Sequence, residues 1–273
     1  MAHARSSSQQ KVIDWVLQGN GSASVVAVAG SGKTTVLLDA AVSLPPSKRV
    51  LMLAFNKAVQ QELAERLGAR RNVEVKTYHG CGFHVLSRRL QGRHRIDDQN
   101  KRRGLLKRLL PDDKDYQRLN GCVLALSSFA ASYAFQTTSQ PDTSDALLQS
   151  LLERYDVEQP IVQLTATSEM LVADLRLELR ALGLSSSGKK AELQARLSSE
   201  DAMKKRMRRQ RRLMCERVFG LVRSLLEATA HEAEQAGRID FSDMCYLPIR
   251  WELGFPQYDF VFVDEVRALE YTG

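Results

Sequence analysis

The sequence has few of the residues that cross-link a fold or hold a structural metal. Its four cysteines, Cys81, Cys122, Cys215 and Cys245, are scattered, with no CxxC pair and no histidine at ligand spacing. That excludes a disulfide framework and a cysteine-based zinc site, and it fits a reducing compartment. No apolar run approaches the ~18 residues a membrane-crossing helix needs. The opening MAHARSSSQQ lacks the apolar centre of a secretory signal. These absences predict a soluble intracellular protein without membrane contact, nuclear in a eukaryotic source and cytoplasmic otherwise. Acidic residues are also in deficit, 32 against 39 Lys and Arg. The resulting net charge of +7 favours a polyanionic partner and says nothing about fold.

Seven Lys and Arg fall within the ten residues Met203 to Arg212, MKKRMRRQRR. A second basic stretch, Arg88 to Arg108, is diluted by Asp97 and Asp98. Each run reads either as a solvated helix face or as a phosphate-contacting or nuclear-import segment. The length of 273 residues predicts about two domains.

What the chain does contain begins with VVAVAGSGKTTVLLDAA, Val25 to Ala41. Val25 to Val28 is a short β-branched run, the pattern of a buried parallel strand. Gly30-Ser31-Gly32 breaks it, and from Thr34 apolar residues recur at helical spacing as far as Pro45-Pro46. A strand, a glycine turn and a helix together make a phosphate cradle. Glycines let successive amides face one anion, and the helix N-terminus adds favourable partial charge. The spacing from Ala27 to Gly32-Lys33-Thr34 is the Walker A pattern with Ala in place of the first Gly. Candidate nucleotide-binding residues are Ala29, Gly30, Ser31, Gly32, Lys33, Thr34 and Thr35. In that pattern Lys33 reaches the β- and γ-phosphates, and the Thr34 hydroxyl holds Mg²⁺. The similar SSSGKKAEL, Ser185 to Leu193, follows no strand and carries Lys190 where the hydroxyl residue belongs. It is not read as a second nucleotide site.

A phosphate cradle needs an acidic partner for the metal. In YDFVFVDE the apolar run Phe260 to Val263 predicts a strand, with Asp264 and Glu265 at its C-terminal end, where open α/β sheets bind their ligands. Asp264 is the candidate Mg²⁺ ligand, and Glu265 the candidate base for the attacking water.

Two further strand–loop–helix units lie between. One is a strand Val50 to Ala54 followed by Phe55-Asn56-Lys57. The other is a strand Val73 to Lys76 followed by Thr77-Tyr78-His79-Gly80. Both loops open at one sheet edge and offer donors to a phosphodiester backbone, although helix-capping loops use the same residue types. In order, the segments AVAGSGKTT, LAFNKAVQQEL, TYHGCGFHVL, GRIDFSDMCYLP and FVFVDE resemble the first motor lobe of superfamily 1 DNA helicases of the UvrD/Rep type. The resemblance covers roughly residues 6 to 95 and 237 to 265. It implies an α/β fold with a P-loop NTPase (RecA-like) parallel sheet, incomplete, and a large helical insertion. It also implies ATP and Mg²⁺, single-stranded DNA as partner, and movement from 3′ to 5′. Gln9, with Gln10 as the alternative, would read the adenine edge. Lys33, Thr34, Asp264 and Glu265 would carry the ATP chemistry, and Asn56, Lys57, Thr77 and His79 would touch single-stranded DNA.

The lobe is thus expected in two parts, 1–95 and 237–273, with a helical insertion over 96–236. Within the insertion, residues 168–200 resemble a SAP motif, a helix–loop–helix DNA-binding unit carried by LRALGLSSSGKKAELQARL. Leu171, Leu175, Leu179 and Leu182 mark its first helix, Gly183 the stop, and Leu193 and Leu197 the second helix. The motif implies contacts from Ser187, Gly188, Lys189 and Lys190 to duplex DNA, weakening as salt rises. After Glu265 the chain reads Val266-Arg267-Ala268 where the family continues Ala-Gln-Asp, and it ends at Gly273. The expectation is a truncated N-terminal part that binds nucleotide and DNA but hydrolyses weakly. Two other readings stay open: a non-motor DNA-binding protein acting through the SAP-like unit and basic run, and a P-loop kinase for a small metabolite.

Overall fold

The computed structural model describes residues 5–19, 21–28, 30–97, 100–134 and 143–264. Along the chain come α1 (Ser7–Gln18), α2 (Lys33–Ser43), β1 (Val50–Ala54), α3 (Lys57–Leu67), β2 (Val73–Thr77) and α4 (Tyr78–Arg89). Next are β3 (Arg95–Ile96), α5 (Lys101–Leu109), α6 (Asp113–Ala134), α7 (Asp145–Arg154), α8 (Val172–Ala181) and α9 (Lys190–Leu197). The last are α10 (Glu200–Ala236), β4 (Arg238–Ile239), α11 (Phe241–Arg250) and β5 (Phe260–Val263). The described residues form two compact units, 5–95 with 241–264, and 96–133 with 143–240.

The first unit is α/β, built on a parallel sheet of order β2-β1-β5. Strand β1 is central and buried at all five positions, because both its faces are covered. Val50, Met52 and Ala54 pack on one face with Ile13, Val36, Ala40 and Leu63 from the flanking helices. Leu51 and Leu53 pack on the other with Tyr78 and Cys81. Burial on both sides is why the run reads as continuously apolar instead of alternating. The register pairs Ala54 with Thr77 and Leu53 with Val263, so all three strands end at one edge. On the second face α4 crosses α11 closely. A Cβ at Gly82 would lie 1.9 Å from the Met244 carbonyl oxygen, so only glycine fits that crossing.

The strand predicted over Val25 to Val28 is absent. Residues 22–28 run without regular structure, and Val26 and Val28 are 86% and 78% exposed. An isolated apolar run becomes a strand only when a neighbouring ladder takes up its N–H and C=O groups. Among the described residues no strand lies alongside this one. Instead, the carbonyls of Ala27 and Val28 accept from Lys33 Nζ, at 3.1 and 2.9 Å.

The second unit is helical. Helix α10 spans 37 residues, and its Val222, Leu225, Leu226 and Ala230 are buried. Much of the basic stretch around Arg102 turns inward. Lys101 is fully buried and its Nζ donates to the Thr229 carbonyl at 3.0 Å. Arg102 pairs with buried Asp240 at 2.8 Å and donates to Ser127 Oγ at 3.1 Å. Arg102→Ala removes the guanidinium paired with that buried carboxylate and is expected to cost about 3–5 kcal/mol in a urea unfolding titration. The apolar double substitution Arg102→Met/Asp240→Leu should recover most of the loss.

Helices α8 and α9 form a hairpin around Met170, Leu175, Leu179, Leu193 and Leu197. The first helix ends in a Schellman turn, with Gly183 N donating to Arg180 O and Leu184 N to Leu179 O. Leu171, expected in this core, is 68% exposed because the helix begins one residue later and Met170 fills the place. The hairpin is tied to α10 through Glu178, which meets Arg206 at 3.5 Å and Arg209 at 3.4 Å. Arg206 also donates to the Thr165 carbonyl. The MKKRMRRQRR run is therefore neither a free face nor wholly solvated. Lys204, Lys205 and Arg212 pair along the helix with Glu200, Asp201 and Glu216. Arg208 and Arg211 meet no carboxylate among the described residues.

Candidate nucleotide site and sheet edge

Helix α1 opens with a capping box in which Ser6 Oγ accepts from Gln9 N and Gln9 Oε1 accepts from Ser6 N. The same Gln9 amide reaches 22 residues on, its Nε2 donating to Ser31 O at 3.2 Å. Gln10 turns away to Asp14. Gly30 and Gly32 adopt φ of +76° and +83°, left-handed values that let the loop turn sharply into α2. No side chain caps α2, so its first amides face the loop free of an internal acceptor. Ser31 Oγ is buried and has no partner among the described residues. An uncapped helix start, an orphaned hydroxyl and the Lys33 ammonium together suit a phosphate chain. Thr35 faces elsewhere, its Oγ1 accepting from Arg66 Nη2 at 3.0 Å.

The sheet brings a second group to this loop. Asp264 follows β5, is 6% exposed, and is anchored by its N–H to Leu53 O. Thr34 Oγ1 donates to Asp264 Oδ2 at 3.0 Å, across 230 residues of chain. Mg²⁺ takes oxygen ligands at about 2.0–2.1 Å in an octahedron, so neighbouring ligands lie about 2.9 Å apart. A hydroxyl and a carboxylate oxygen at the observed separation fit that requirement. Among the described residues no three His, Cys, Asp or Glu cluster as a metal cage. A site of two protein oxygens completed by phosphates and water is the form Mg²⁺ prefers.

Tyr78 had no role assigned from the sequence, yet it belongs to this corner. It is the first residue of α4 and is buried. Burial first, and the negative charge of Asp264 second, push its phenol up to about 12. It stays a protonated phenol near the carboxylate. A bulky aromatic at the strand-to-helix junction next to an acidic strand end was the available signal.

At the same edge, the side chains proposed to touch DNA are partly engaged. Asn56 Oδ1 caps α3 by accepting from Val59 N, and Thr77 Oγ1 caps α4 by accepting from Gly80 N. Lys57 Nζ donates to Gln60 Oε1 on the surface. The His79 ring stands edge-on to half-exposed Phe241, with centroids 5.7 Å apart. In the second unit, the loop before α9 is closed by Arg196, which donates to Ser185 O and Ser187 O. Gly188 has φ of +118°, Lys189 N donates to Glu192 Oε2, and Lys189 and Lys190 are exposed. Ala29 and Glu265 lie outside the described residues, as does the departure from the family pattern after Glu265.

Comparison with protein-family models matches residues 6–267 to the UvrD/REP helicase N-terminal domain. The chain belongs to this family. Neither the curated proteins nor the solved structures return a match. As a UvrD/REP helicase N-terminal domain, the chain has a helicase-type function, and its α/β unit with a small parallel sheet is the P-loop NTPase lobe the family requires. Among the described residues no helix is long and apolar enough to cross a membrane.

Proposed function

We propose that this UvrD/REP domain binds ATP with Mg²⁺ at the loop between Gly30 and Thr35, and single-stranded DNA along the strand ends. The hydrogen bond from Thr34 to Asp264 carries the reading, because it joins the hydroxyl and acidic elements of one metal site from opposite ends of the sequence. Lys33 takes the β- and γ-phosphates, Gln9 the adenine edge, and the amides of Gly30, Ser31 and Gly32 the phosphate oxygens. Bound at Thr34 and Asp264, Mg²⁺ would neutralise charge developing on the phosphates. Tyr78, buried near Asp264, helps exclude water from that corner, and Glu265 serves as base for the attacking water. Asn56, Lys57, Thr77 and His79 face the DNA backbone; Asn56 retains its Nδ2 donor after capping α3. Movement from 3′ to 5′ follows from the family resemblance alone.

The experiment is a titration with a fluorescent ATP analogue, with and without Mg²⁺. Thr34→Val and Asp264→Asn should each remove the affinity gained from Mg²⁺, on the order of tenfold. The double variant should add little, since both act on one ion. Additive losses, or an unchanged response to Mg²⁺, would rule out a shared ion.

The exposed Lys189 and Lys190 support a second contact, the α8–α9 hairpin against duplex DNA in the manner of a SAP motif. If the chain were only a DNA tether, duplex affinity would ignore Lys33→Ala and vanish in Lys189→Ala/Lys190→Ala. A motor domain should also show nucleotide-dependent affinity for single strands.

A further inference from the structure

The helical unit contains a cavity of about 460 Å³ that the nucleotide and DNA readings do not use. One wall is a stripe of α10, with Met207, Arg211, Met214 and Val218 at spacings of four, three and four. The facing wall is the extended segment Gln159 to Val162. Arg118 donates to Ile161 O within that segment, and Arg206 donates to Thr165 O three residues beyond it. The pocket is therefore preformed instead of a gap between loose loops.

Its chemistry is selective. Most of the lining side chains are apolar, with Met207 and Met214 as adaptable members, while close to half of the exposed lining surface is polar. Cys122 and Cys215 also line it as free thiols. Burial pushes Cys122 up to about 11, and burial likewise raises Cys215. Both remain neutral, so they contribute apolar surface and no nucleophile. Among the described residues no acidic side chain lines the cavity, and Arg211 is the one cation that does. Five of the seven cations in the surrounding run pair with carboxylates, but Arg211 meets none among the described residues. A chamber of this size, with mostly apolar side chains and one cationic side chain, exposed Arg211, in its lining, has the dimensions of a small-molecule site.

We propose that this cavity binds an amphipathic oxyanion, a carboxylate or phosphate monoester on an apolar body, with its head on Arg211. At about 30 Å³ per water-sized group, it holds a body of about fifteen non-hydrogen atoms. A carboxylate and a phosphate monoester share this oxyanion chemistry, and the test separates the two.

The test uses the full chain and the neutral fluorophore N-phenyl-1-naphthylamine. Saturable fluorescence is expected, displaced by decanoate or decyl phosphate at concentrations at least about tenfold below those needed for decylamine. Whichever of the first two displaces at lower concentration names the head group. Arg211→Ala should bring the anions to the level of decanol without changing decanol itself. Met214→Trp fills the chamber and should abolish probe binding; Val218→Phe does the same should the first variant fail to fold. Equal displacement by decylamine and decanoate would overturn the proposal, as would probe binding that survives the filled variant. Stronger displacement by an acidic, leucine-rich peptide than by decanoate would also overturn it, making the cavity a protein-docking site.

Discussion

Lys33→Ala is expected to weaken ATP binding on the order of 10²-fold, measured by calorimetry or with a fluorescent analogue. The ammonium sits at the loop, and charge-assisted hydrogen bonds to phosphates are each worth about 1.5–3 kcal/mol. In the structure it is occupied with the carbonyls of Ala27 and Val28. Those bonds are made to neutral acceptors and are exchanged for stronger ones when phosphates arrive. Lys33→Arg keeps the charge but not the compact head, and should recover only part of the affinity. Affinity within about threefold of the parent in Lys33→Ala would mean the phosphates bind elsewhere. The fold should be little affected, because Lys33 is only partly buried and its Nζ bonds two loop carbonyls.

Gly82→Ala is expected to destabilise the α/β unit by about 3 kcal/mol or more. The added carbon would meet the backbone of α11 at Met244 O, 1.9 Å away, with Met244 C at 2.9 Å. Neither atom belongs to a side chain that could swing aside, so one whole helix must shift. Both tryptophans, Trp15 and Trp251, lie in this unit. Their fluorescence during thermal unfolding therefore reports it separately from the helical unit. An unchanged transition in Gly82→Ala would show that α4 and α11 are not packed in this way. Because α4 starts at Tyr78, beside Asp264, the same variant should also weaken the response of nucleotide affinity to Mg²⁺.

How much of this was legible in the sequence depends on whether a feature is decided locally. Strands β1 and β5 could be read at their true bounds because each is a short apolar run that starts after a charged residue and ends at or just before a polar loop. The Thr34 and Asp264 meeting could be anticipated because the motif spacings point to it. The apolar character of Val25 to Val28 was equally plain, but a strand also needs a neighbour, and sequence periodicity carries no information about one. Tyr78 escaped notice for a related reason. Its burial comes from the chain entering α4 under the sheet edge, not from its own neighbours. Lys101, Arg102 and Asp240 look like surface charge in the sequence, and only a partner 138 residues away makes the Arg102 site an interior one. Leu171 fits the leucine spacing, yet it sits at the residue that caps α8, where the backbone points it outward.

The ties around α10 alter what the basic decapeptide can offer a polyanion. Its formal charge counts seven cations, but four carboxylates already sit against five of them. Each phosphate neutralised on duplex DNA contributes about −0.9 to the slope of log K against log salt through the counterions it releases. Cations whose charge is already balanced within the molecule release few. The salt sensitivity of duplex affinity should therefore fall well short of the slope that seven free charges would give, and Glu178→Gln should steepen it.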